Sequence, residues 1–238
     1  TGRRRTSRVG SGRRIGRVGM SEGGRAGNKV VVKRGRWRGI LEHEIIWSRR
    51  YDGVTGVIRV VVRTVSRRVH TYSTEYMSGD AHRQRFIGYL SLFTFGIRRR
   101  VTAENRVQLY RGWEGVGVCS YRLINYWYTR RQANKSARKA IVVNRRGDRA
   151  RSRGICRYVD TYGGLGYGER RSRGGHEVSE RRRRRESLRV FGGTVGKSAQ
   201  RGLQVWLPDA MEGPTPVSAL IHAATMVTAG VYRRVRRS

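Results

Sequence analysis

The chain is poor in leucine, lysine, proline, cysteine and acid, and each shortage excludes something. Its two cysteines, Cys119 and Cys156, are too few for a disulfide framework or a cysteine-built zinc site. All three prolines lie at 208, 214 and 216, so the first 207 residues are free of that helix breaker. No secretory signal is visible, because the apolar positions near the start are broken by Arg3, Arg4, Arg5 and Arg8. Of 53 basic residues only five are lysine, leaving 48 arginines against 16 acids and a formal charge of +37. Leucine, normally among the commonest residues, occurs ten times. A phosphate asks only for positive charge, so a nucleic-acid binder has no reason to avoid lysine. An arginine excess paired with a leucine deficit instead asks whether arginine stands at positions made for leucine.

The 238 residues suffice for one or two soluble domains, or for about six to eight membrane helices. The segment from Gly213 to Tyr232 carries no Asp, Glu, Lys or Arg over twenty residues, long enough to cross a bilayer or to form a buried core helix. Phe86 to Ile97 is also uncharged but too short to span. Elsewhere the apolar stretches are interrupted by arginine. Val54 to Val69 has Arg59, Arg63 and Arg67 four residues apart, a basic amphipathic helix that would lie on an anionic membrane surface. Asn105 to Trp127 is broken only by Arg106, Arg111, Glu114 and Arg122, and Arg181 to Arg185 forms a charge block. Each arginine at a helix centre costs about 2.5–3.5 kcal/mol on insertion. Sixteen acids cannot pair 48 arginines, so these stretches cannot all span while every arginine remains arginine.

Reading leucine for many of the arginines repairs every span by one rule. Residues 54–69, 86–103, 105–127, 137–160 and 181–206 become apolar, and with 213–235 and a segment at 2–20 the chain becomes six or seven membrane helices. The intervening loops, such as Ser78-Gly79-Asp80-Ala81-His82 and Asn134-Lys135-Ser136, keep their polar residues.

Several segments carry a resemblance. They include Val69 to Asp80, Tyr89 to Phe95, Gly112-Trp113-Glu114-Gly115-Val116-Gly117, Gln132 to Lys135, Gly196 to Gln200 and a nearly unbroken run from Trp206 to Gly230. From about Tyr51 to its end the chain resembles the ND5 family, the subunit 5 family of mitochondrial NADH–ubiquinone oxidoreductase (respiratory complex I); residues 1–50 match weakly. That family carries aliphatic residues where this chain has Arg106, Arg111, Arg122, Arg138, Arg146, Arg149, Arg201, Arg233 and Arg234. A reassigned codon, an unsuitable translation code and transcript editing each account for this. The family also continues well beyond His222, so the resemblance implies a fragment, an exon or one piece of a split gene.

What the resemblance implies is an all-α, multi-pass transmembrane helical bundle, the N-terminal part of an antiporter-like proton-channel subunit. Residues 1–50 would be an N-terminal segment with one possible membrane helix and a loop, and residues 51–238 a partial antiporter-like domain. Glu114, Lys197 and His222 would carry proton translocation. On the residues alone, Glu114 reads equally as a loop glutamate or as an ionisable group inside a span. Lys197 reads as a helix-end lysine reaching the interface or, as the resemblance implies, as a buried relay lysine that responds to Glu114. The P-loop spacing fails, because the position needing the first glycine is Phe191. A lone histidine such as His222 is commonly a core residue, though its ordinary titration range suits proton handoff. Pro214 and Pro216 would break the start of their helix. Arg145 and Asp148 match polar family positions and rank second.

The resemblance further implies that this chain binds no metal or cofactor. NADH, flavin, iron–sulfur clusters and ubiquinone would belong to other subunits of an enzyme that couples NADH oxidation to proton pumping. Its partners would be the other membrane-arm subunits and the lipid of the mitochondrial inner membrane, with no nucleic acid. The rival reading is a soluble, arginine-rich RNA-binding protein of ribosomal type, using its 21 aromatics for base stacking.

Overall fold

The computed structural model describes residues 18–21, 29–40, 43–162, 164–166 and 180–221. Three strands come first: β1 (Val18–Ser21), β2 (Lys29–Ile40) and β3 (His43–Tyr51). They form one antiparallel sheet in the order β1-β2-β3, with Val18 opposite Val32 and Val30 opposite Tyr51. The register slips twice, between Lys33 and Gly35 and between Arg36 and Arg38. The sheet departs from the all-α expectation; the possible membrane helix at 2–20 falls almost wholly outside the described residues. The cause is legible afterwards. Val30-Val31-Val32 is a β-branched run, and Arg34, Arg36 and Arg38 alternate with Gly35, Trp37 and Gly39, a period of two rather than 3.6.

Helices dominate the rest. They are α1 (Gly53–Tyr76), α2 (Arg83–Val101), α3 (Arg106–Ile124), α4 (Arg131–Tyr162) and α5 (Glu180–Lys197), followed by short α6 (Trp206–Asp209), a 3-10 turn (Ala210–Glu212) and α7 (Thr215–Ala219). Each of the first five overlaps one of the five windows that leucine substitution makes apolar, with ends that differ by up to nine residues. Asp52 starts α1, its Oδ1 accepting the Thr55 backbone N–H at 2.9 Å. The same residue pairs with Arg50 at 3.0 Å, tying β3 to the helix. At its shortest α5 has 18 residues, about 27 Å at 1.5 Å per residue, close to the thickness of a hydrocarbon core. Yet no described helix is long and apolar enough to cross a membrane: the five long ones carry arginine and the last three are of three to five residues.

The core follows helical periodicity. Phe86, Leu90, Phe93, Ile97 and Val101 of α2 line up every three or four residues, each at most 1 % exposed. They meet Leu109, Val116 and Leu123 of α3. Helix α4 packs on α3 and α5 packs on α4, reaching α3 through Lys197; α4 and α5 approach closely because their contact is lined by glycine. A Cβ on Gly147 would come within 3.2 Å of Gly196 Cα, and one on Gly193 within 2.6 Å of Arg151 Cβ. Outward faces are apolar too: Val57, Val60 and Val61 on α1 and Leu188 and Phe191 on α5 are half exposed or more.

Candidate functional site

Lys197, the last residue of α5, is fully buried. Its Nζ donates to the backbone carbonyl of Trp113 on α3 and lies 5.1 Å from the centre of that indole ring. Gly117, one turn on, makes the room, because a Cβ there would sit 3.2 Å from the ammonium nitrogen. On the same indole, Trp113 Nε1 donates to Oδ1 of Asp148 on α4 at 2.8 Å. Trp113 and Asp148 are 1 % and 6 % exposed. One tryptophan thus holds a cation at its backbone and an anion at its ring nitrogen. An ammonium and a carboxylate sharing a water-poor interior set each other's proton affinity through their separation.

Glu114 points to a second, wetter cluster. Its Oε1 accepts from the Tyr110 hydroxyl and from Arg145 Nη1, the latter at 3.3 Å, with the Glu114 side chain 30 % exposed. The structure therefore brings Glu114 together with Arg145, and Lys197 together with Asp148. The two clusters adjoin along α3, where Trp113 and Gly117 flank Glu114 in sequence. Pro214 lies in extended backbone just before α7 and Pro216 in its first turn, where proline lacks no needed donor. The break thus falls at Gly213–Pro214, between the 3-10 turn and α7. His222 lies outside the described residues.

Sequence reasoning ranked Asp148 second and passed over Trp113 and Tyr110. The signal for Trp113 was its place between Gly112 and Glu114, since an indole N–H in an apolar interior needs an acceptor. Two further residues went unnoticed. Arg151 and Arg100 place their guanidinium carbons 4.0 Å and 5.6 Å from the centre of the same indole, and they are 2 % and 3 % exposed. A desolvated cation–π contact returns about 2 kcal/mol, whereas burying each ion costs several. Beyond the end of α3, Tyr126 packs edge-on against Phe86 at 5.1 Å.

A helical bundle holding a lysine and a carboxylate in its interior has the pattern found where ionisable groups sit inside membrane bundles. The chain belongs to the NADH:quinone oxidoreductase/Mrp antiporter transmembrane family, whose model matches residues 103–238 and so takes in both clusters. A second family model, the N-terminus of chain 5 of NADH-ubiquinone oxidoreductase (complex I), matches residues 37–87. Among curated relatives, chain 5 of the NADH-ubiquinone oxidoreductase of Rhizopus stolonifer is 48 % identical over 224 residues, covering 93 % of this chain and 34 % of its own. The Acanthamoeba castellanii chain 5 is 50 % identical over 231 residues, covering 89 % of this chain and 33 % of its own. This chain thus spans about a third of the length of these relatives. Among solved structures, the Mrp complex from Dietzia sp. DQ12-45-1b superposes with a TM-score of 0.78 at 27 % identity, over 86 % of this chain and 22 % of that one. The RNA-binding reading draws no support from these likenesses.

Proposed function

We propose that this chain is a multi-pass, membrane-arm subunit of respiratory complex I in the mitochondrial inner membrane, and that it takes part in translocating protons. The observation that carries the reading is the fully buried Lys197, held at the Trp113 carbonyl while Asp148 is held at the Trp113 ring nitrogen. A small shift of α5 against α3 and α4 changes the Lys197–Asp148 separation, and in a low-dielectric interior that change alters whether the lysine keeps its proton. Glu114, with Arg145 and Tyr110, forms the neighbouring group from which a proton arrives. His222, thirteen residues from Asp209 in the sequence and outside the described residues, is assigned a proton-carrying role on its resemblance to the family alone. The chain performs no redox step itself: NADH, flavin, iron–sulfur clusters and ubiquinone are bound by other subunits of the enzyme.

The test separates pumping from electron transfer in the assembled complex. Lys197→Met, reconstituted in vesicles, is expected to lower proton uptake per NADH oxidised at least tenfold, while Lys197→Arg retains more. An unchanged ratio of protons to electrons in Lys197→Met would overturn the reading.

A further inference from the structure

We propose that Tyr110 is a positioning residue for Glu114: together with Arg145 it occupies Oε1 of that carboxylate and so directs an arriving proton to Oε2. The inference rests on the reading of Glu114 as a proton-carrying group.

The local sequence sets the pair. Tyr110 and Glu114 stand four residues apart on α3, a spacing that puts two side chains on one helical face. The Tyr110 hydroxyl donates to Glu114 Oε1. Arg145 reaches the same oxygen from α4, through Nη1 at 3.3 Å. Two donors therefore meet on one oxygen, and among the described residues none donates to Oε2. The Glu114 side chain is 30 % exposed, so the carboxylate is not sealed on every side.

That asymmetry decides where a proton goes. A carboxylate oxygen offers two lone-pair sites, and those of Oε1 already receive an O–H and an N–H. A proton added to Oε1 has to displace one of these donors and leave it without its acceptor. A proton added to Oε2 forms one O–H bond and breaks no hydrogen bond. Oε1 then becomes the carbonyl oxygen of the acid and keeps both donors. On release the O–H electron pair returns to the carboxylate, and the same two hydrogen bonds remain. The group changes charge without changing place.

The two donors differ in what they follow. Tyr110 shares α3 with Glu114, so its hydroxyl moves with the carboxylate. Arg145 belongs to α4 and is 62 % exposed, so its bond breaks when α4 shifts against α3. Tyr110 keeps the carboxylate aimed while the charged donor comes and goes. A phenol suits this part, because it stays neutral near pH 7 and adds no charge beside Asp148 and Lys197.

The experiment compares Tyr110→Phe and Glu114→Gln with the unaltered chain, in the assembled complex reconstituted in vesicles. Phenylalanine keeps the ring and its packing and removes only the hydroxyl. Proton uptake per NADH oxidised is measured first, and it is expected to fall at least threefold in both variants. The second measurement is the infrared carbonyl stretch of the protonated Glu114 carboxyl, identified by its absence in Glu114→Gln. That band is expected at higher frequency in Tyr110→Phe, because a carbonyl that loses a donor stiffens. An unchanged ratio or an unshifted band in Tyr110→Phe overturns the proposal. If Glu114→Gln lowers the ratio and Tyr110→Phe does not, positioning alone fails. If neither lowers it, the role of Glu114 fails as well.

Discussion

Trp113 on α3 donates its indole N–H to Asp148 on α4 at 2.8 Å, joining two helices inside the bundle. The bond fixes the ring whose own backbone carbonyl receives the Lys197 ammonium. Three helices are therefore referenced to one residue, Trp113.

Trp113→Phe keeps the aromatic volume nearest the backbone but removes the donor. The Asp148 carboxylate is then buried without the indole, at a cost of about 1–3 kcal/mol. Heat-induced dissociation of the purified complex should begin at lower temperature than in Asp148→Asn, which keeps an oxygen to accept the indole bond. Equal loss in the two variants would mean that the hydrogen bond does not orient the ring.

The glycine seam predicts opposite effects for the same chemical change. Gly147→Ala drives a methyl against the Gly196 backbone, where the Cβ position lies 3.2 Å from Cα. Overpacking of this kind costs about 1–3 kcal/mol. Gly115→Ala meets nothing within 4 Å and removes a helix-interior glycine, a gain of about 0.5–1 kcal/mol. Denaturant midpoints measured for both variants should move in opposite directions.

Asp52→Ala removes the side-chain cap of α1 together with the Arg50 pair. Loss of a cap costs about 0.5–2 kcal/mol. Asp52→Asn should recover most of it, and hydrogen exchange at the first turn of α1 reads both. Protection unchanged in Asp52→Ala would show that the strand above holds the helix start instead.

The ion pair between Lys139 and Asp209, at 2.7 Å, links α4 to α6 with side chains 38 % and 41 % exposed. At that exposure Asp209→Asn should lower stability by less than about 1 kcal/mol. A larger loss, insensitive to salt, would place the pair in a drier setting than its exposure indicates.

Helix positions were legible because the apolar windows survive beneath the arginines. Phe86, Leu90, Phe93 and Ile97 keep their spacing whatever stands at 98, 99 and 100. The strands were not foreseen, because the leading residues were assigned by position rather than by the period-two pattern around Arg34 to Gly39. Lys197 and Glu114 stood out as ionisable residues in apolar surroundings. Which carboxylate faces Lys197 was not legible, because the answer depends on how three helices cross, and the glycines that set the crossing sit as far away as Gly193 and Gly147. Trp113 was hidden for the same reason: its partner Asp148 belongs to another helix.

The seam between α4 and α5 has a mechanical consequence. Where Gly147 meets Gly196 and Gly193 meets Arg151, there is almost no side-chain padding to compress. At Gly147 and Gly196 backbone lies on backbone, so a closer approach of α4 to α5 is blocked one residue before Lys197.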